Sequence, residues 1–291
     1  MTSQPTSSKA TDTLTAIILF FIVFALWQIY WQLLDIIKPD YPYDIILFLA
    51  IPGLSLAIYA LFIKLGKTTF RRQGFQKPTT IKTTKTITIS LVCAAVYIIM
   101  ILAPGLTAVL ATGSISEGFE LSTSLLTPLR IVYRIAFGMA YAIILSLAYE
   151  SIFRGYIFRN LVRHYGFFTS LYATSIMFGL VASATMTPLK NILSMTQAGL
   201  VEFIFMDILT VFAAGLFLGF FFYKTGWSLL GPITFQLGTI FFMWPDPLIS
   251  STSEWWIALT FQVIAFAILI LAIDTFIKEP MYLRKKYGLE G

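Results

Sequence analysis

The sequence predicts an all-α fold, a polytopic membrane helix bundle of about eight transmembrane helices with both termini cytoplasmic. Three observations carry this prediction. Of the 291 residues, 58% are hydrophobic and 12% charged, with a mean hydropathy of +0.83; a soluble globule carries about 25% charged residues. Apolar residues come in runs of ~20, the length of a spanning helix, without the two-residue alternation of a membrane barrel. Lys and Arg gather in alternate loops, the pattern that fixes orientation in a bilayer.

The first 13 residues are polar and rich in Ser and Thr, and predict a disordered cytoplasmic tail. They lack the basic start, short apolar core and small-residue cleavage site of a signal peptide, so the run from Leu14 reads as a retained helix. Spans are expected at Leu14–Leu34, Tyr43–Ile63, Thr86–Leu106, Ile131–Ala148, Phe167–Thr185, Phe203–Tyr223, Ser228–Trp244 and Trp256–Ile277. The fourth runs on into the segment Glu150–Arg159. Pro52-Gly53 and Pro104-Gly105 interrupt apolar runs and predict kinks in the second and third helices, or an end to the third. The chain divides into the tail, helices one to three (14–128), a core of helices four to seven (129–244) and a last helix with a basic tail (245–291).

Charge sets the orientation. The loop 64–85 carries Lys64, Lys67, Arg71, Arg72, Lys77, Lys82 and Lys85 and no acid. Arg154, Arg159 and Arg163 follow the fourth span, Lys224 the sixth, and Lys278, Arg284, Lys285 and Lys286 the eighth. With eight spans, all of these fall on the cytoplasmic side. The net charge of +6 therefore reads as orientation, with attraction to anionic membrane lipids as a by-product, and no nucleic-acid partner is expected. Trp27, Trp31, Trp227, Trp244, Trp255 and Trp256 lie near predicted helix ends, where interfacial anchors belong. Cys93 is the single cysteine, so no intrachain disulfide can form.

Chemistry concentrates at Tyr149-Glu150-Ser151-Ile152-Phe153-Arg154-Gly155-Tyr156. Glu150 and Arg154 are four residues apart, share a helix face and can pair. Ionisable groups at membrane depth are costly, and they either fix one helix against its neighbours or line a functional site. Asp207 lies in the sixth span; it serves as a hydrogen-bond partner for a neighbouring Thr or Ser, or as a proton or cation contact. Glu202, five residues earlier, falls about 140° away round an α-helix, so the two should not share a face.

These motifs resemble the CPBP family of intramembrane proteins, which includes the type II CAAX prenyl endopeptidases and bacteriocin-immunity relatives. Glu150, Phe153, Arg154 and Gly155 fit its Glu-Glu-x-x-x-Arg motif, which commonly continues Phe-Arg-Gly, and Phe178 fits the Phe of its Phe-x-x-x-His motif. Gly215–Gly219, Tyr223-Lys224-Thr225-Gly226 and Pro232-Ile233 resemble its Gly-rich helix, Tyr-x-Thr-Gly turn and following helix. The resemblance covers Ala140 to Trp244. It implies a water-activating first Glu, with histidines and an Asn or Asp positioning substrate, metal or oxyanion. Here Tyr149 stands for the first Glu, Ala182 and Gln236 for the histidines, and Ile240 for the Asn or Asp.

Neither Tyr149 nor Gln236 is a ready general base at pH 7. His164, the single histidine, falls in what reads as a short basic loop between helices four and five, solvated. A zinc hydrolase site needs three protein ligands, so no metal and no cofactor is expected. Three functions remain. The chain is a proteolytically silent CPBP-type protein acting as a binding or accessory subunit beside other membrane proteins, with Glu150, Arg154, Phe178, Gln236 and Asp207 as binding candidates. Alternatively it is an active CAAX-type endopeptidase with Glu150 as base, or a small transporter or immunity-type ligand binder. The expected location is the cell membrane.

Overall fold

The computed structural model describes residues 9–37, 43–66, 68–114, 119–121, 128–243, 249–251 and 255–277. The long helices are α1 (Lys9–Ile37), α2 (Tyr43–Leu65), α3 (Thr83–Thr112) and α4 (Pro128–Tyr149). The last continues without a break through a π-helical segment, π1 (Glu150–Phe158), into α5 (Arg159–Tyr165). Then come α6 (Phe167–Met186), the short α7 (Leu189–Leu193), and α8 (Gln197–Phe203), which passes through a second π segment, π2 (Ile204–Leu209), into α9 (Thr210–Lys224). Helices α10 (Leu230–Met243) and α11 (Trp255–Phe276) complete the bundle.

Six helical stretches among the described residues are long and apolar enough to cross a membrane, and 49–65 and 230–242 form two shorter apolar helices. All eight expected spans are therefore helical, and the chain is an integral membrane protein built as a polytopic bundle. Helix α10 packs against α3 and α4, α9 against α6 and α11, and α2 against α4, while α1 lies along α2 and α6. Apolar side chains such as Phe21, Leu91, Ile99 and Leu271 remain on the outside, as lipid contact requires. Pro104 does not end α3, which runs on to Thr112 and closes on Gly113 in the left-handed conformation.

The loop contacts sort into two ends of the bundle. At one end, residues 74–80 bond to the 224–229 turn, and Lys9–Thr13 meets His164 and Tyr165. At the other, Lys190 pairs with Asp35, and Gln28 accepts from the Leu189 amide. The first end collects the basic segments, which the charge rule assigns to the cytoplasm.

Several expectations are corrected. Helix α1 begins at Lys9, not Leu14; residues 1–8 lie outside the described part. Trp27 and Trp227 are not interfacial anchors, since they are fully buried and 5% exposed. Helix α1 also runs on to Ile37, past the expected end at Leu34, so Trp27 lies well inside it and packs in the core. Half-buried Trp31 donates from Nε1 to the Ala184 carbonyl at 3.0 Å, while Trp244 and the Trp255 and Trp256 side chains fall outside the described residues. Two three-residue strands, Phe119–Leu121 and Ile249–Ser251, pair antiparallel in loops where sequence suggested none. They are too short to carry a periodic signal.

Candidate functional site

The site is built on π1. A π-helix closes i→i+5 hydrogen bonds and occurs mostly as short bulges inside α-helices. All nine residues of π1 are buried. The Glu150–Arg154 pair forms as predicted: Arg154 Nη1 lies 3.1 Å from Glu150 Oε1, with the side chains 1% and 0% exposed. The second arm of the guanidinium, Nη2, donates to the carbonyl of Gly215 at 3.2 Å. Arg154 thus ties its own helix to α9 through backbone, and it does so where α9 packs tightly on α6. A Cβ at Gly215 would lie 2.9 Å from the Ser175 Cβ, so only glycine permits this approach.

The flat face of the guanidinium rests on Phe178, with Cζ 4.1 Å from the ring centroid. A cation over an aromatic face gains electrostatically, and more so out of water. Phe178 in turn meets Tyr149 edge-on at 5.7 Å between centroids and Phe153 at 5.4 Å. The Tyr149 hydroxyl faces Thr185 and Trp27. Ala182, one turn beyond Phe178, is 6% exposed. Tyr149, Glu150, Arg154 and Phe178 therefore come together, with Ala182 one turn along α6 from Phe178.

Gln236 is buried on α10, and its Oε1 has no hydrogen-bond partner among the described residues. Thr239 bonds back to the carbonyls of Phe235 and Gln236, and half-buried Ile240 packs against the core. Glu150 Oε2 and the hydroxyls of Ser146 and Ser183 likewise have no bonded partner among the described residues. Asp207 sits half-buried on π2. Glu202, five residues earlier on α8, is exposed.

His164 was expected in a solvated loop; it lies in the last turn of α5 instead. Its Nε2 is 2.8 Å from Asp12 Oδ2, with side chains 20% and 11% exposed. The Thr13 and Tyr165 hydroxyls bond at 2.9 Å beside it, and Lys9 Nζ lies over the Tyr165 ring. The histidine is thus engaged at the start of α1, away from Glu150. Sequence reasoning missed this because Asp12 lies in what reads as a polar tail.

The metal implied by the resemblance can be tested against these residues. A zinc centre requires three protein ligands and an open position. Glu150 instead faces a guanidinium, and the positions of the family's imidazoles hold Ala182 and Gln236. Among the described residues, no three His, Cys, Asp or Glu side chains gather into a set that could hold an ion. The residues present do not fit a zinc centre.

Fold and site together define an integral membrane helix bundle with a buried carboxylate–guanidinium–aromatic cluster at its centre. The family model described as type II CAAX prenyl endopeptidase Rce1-like matches residues 131–242. That match runs from α4 to α10 and is consistent with the CPBP family, whose motifs the same stretch resembles. No curated protein and no solved structure matches it.

Proposed function

We propose that this chain is a proteolytically silent Rce1-like protein of the cell membrane, acting as a binding or accessory subunit within a membrane complex. One observation carries the reading: Glu150, the acid best placed to activate water, is held by Arg154, which is itself fixed by Gly215 and Phe178. A general base must reach a water or substrate proton at hydrogen-bond distance, and here Oε1 is committed to a buried guanidinium while the whole side chain, Oε2 included, is shut off from solvent. Tyr149, Ala182, Gln236 and Ile240 supply neither a second base nor imidazoles. What is retained is a scaffold whose buried polar groups, Gln236 among them, are available to a bound segment.

The test has two parts. Purified wild-type and Glu150→Gln proteins are incubated with prenylated CAAX peptides and the products read by mass spectrometry; no Glu150-dependent cleavage is expected. Mild-detergent purification should recover a partner at fixed stoichiometry. Cleavage abolished by Glu150→Gln would establish a working peptidase, and a solitary monomer would remove the accessory role.

A further inference from the structure

The basic segment between α2 and α3 is more than a topology signal, because it is folded and docked. A 3₁₀ turn, Phe70–Gln73, ends on Gly74, whose φ of +105° suits glycine. From there the backbone is clamped onto the turn after α9. The Leu229 amide donates to the Gly74 carbonyl at 3.0 Å, and the Thr79 amide to that of Thr225 at 3.3 Å. Ser228 Oγ donates to Gln76 at 2.7 Å, Gln76 Nε2 to Gly226 at 3.2 Å, and Thr80 Oγ1 to Lys224 at 2.6 Å. The Gln73 carbonyl lies against Gly155 of π1.

This clamp presents cations outward. Arg71, Arg72, Lys77 and Lys82 are exposed, and no acid occurs between Lys64 and Lys85. Phe70 and Phe75 stand among them, 49% and 39% exposed, with ring centroids 5.8 Å apart. The segment leaves α2 at Leu65 and enters α3 at Thr83, so it lies where spanning helices meet water. Cations beside exposed aromatic rings at that depth suit a ligand with an anionic head and an apolar body.

We infer that residues 70–77 form a docking site for the headgroup of an anionic phospholipid, with Arg71, Arg72 and Lys77 on the phosphate and Phe70 and Phe75 against the acyl boundary. A soluble anion would use the cations but not the rings. Because Gln73 abuts Gly155, an occupied site also braces the helix that carries Glu150 and Arg154.

Native mass spectrometry of the full chain, exchanged into micelles doped with phosphatidylglycerol or phosphatidylcholine, tests this. Wild type should retain phosphatidylglycerol preferentially, and the preference should fall as salt rises from ~0.05 to ~0.5 M. A cation near a lipid surface contributes about fivefold in binding, so Arg71→Gln/Arg72→Gln/Lys77→Gln should lower retention at least tenfold. Phe70→Ser/Phe75→Ser should lower it with all charges intact. The control Lys64→Gln/Lys82→Gln/Lys85→Gln removes as many charges outside the site and should retain most binding. Equal retention of the two lipids, an effect of the control equal to that of the site variant, or full displacement by millimolar inorganic phosphate would each overturn the proposal. The salt titration of wild type stands even if a variant fails to fold.

Discussion

Arg154 and Gly215, 61 positions apart in sequence, are joined by a single hydrogen bond of 3.2 Å from guanidinium to carbonyl. The same guanidinium holds Glu150 and lies on Phe178, so one side chain links π1, α6 and α9. Replacing it by a residue of similar length leaves Glu150 buried and uncompensated. Arg154→Met should therefore destabilise the protein by about 3–5 kcal/mol, whereas Glu150→Met/Arg154→Met should recover much of that loss. Thermal unfolding in detergent distinguishes them; a double variant as unstable as the single one would show that the pair is not the cause.

Gly155 is expected to reject even a methyl group. A Cβ there would lie 2.6 Å from the Gln73 carbonyl, too close for backbone to accommodate without moving. Gly155→Ala should cost about 1–3 kcal/mol and lift residues 70–80 from their seat. Limited trypsin digestion would then cut at Arg71, Arg72 or Lys77 faster than in wild type. Unchanged cleavage there would mean that the segment is held independently of π1.

Lys224 and Asp274 form an unequal pair, 2.5 Å apart with side chains 3% and 61% exposed. Removing the acid takes the counter-charge from a buried ammonium, which keeps the Ile277 carbonyl and the Phe220 ring beside it, while removing the base leaves an acid that is already exposed. Asp274→Ala should thus destabilise more than Lys224→Met. The reverse order in a melting experiment would refute this account.

At the start of α1, Asp12→Ala should loosen the first turns by about 1–2 kcal/mol, because the bond to His164 is largely shielded from water. Hydrogen exchange at residues 9–15 should quicken while that of α3 stays unchanged. Exchange unaltered in both would assign the anchoring of α1 to its other contacts, the apolar packing on α2 and α6 and the Thr13 and Lys9 contacts with Tyr165.

Much of this was legible in the sequence, for definite reasons. Continuous apolar runs leave no alternative to spanning helices, and the Glu150–Arg154 spacing together with Phe178 pointed to the cluster. The Gly215 carbonyl was hidden because a backbone acceptor has no residue signature. Asp12 was obscured by its polar neighbours, and Trp27 was misplaced because the helix runs on past the end that hydropathy alone suggests. The π turn at Ile204–Leu209 escaped because helical-wheel angles assume 3.6 residues per turn.

The wide turn at Glu150–Phe158 has one more implication, for insertions and deletions. An extra residue is already looped into the rod there, so a one-residue deletion could be absorbed by tightening it to an ordinary coil. The rod would stay whole and everything downstream to Tyr165 would keep its facing, because the turn that holds the extra residue already returns the flanks to phase. His164 would still meet Asp12, whereas an added residue, which the wide turn cannot absorb a second time, would rotate the rod by about 100° and be felt at its far end as a released amino-terminal latch.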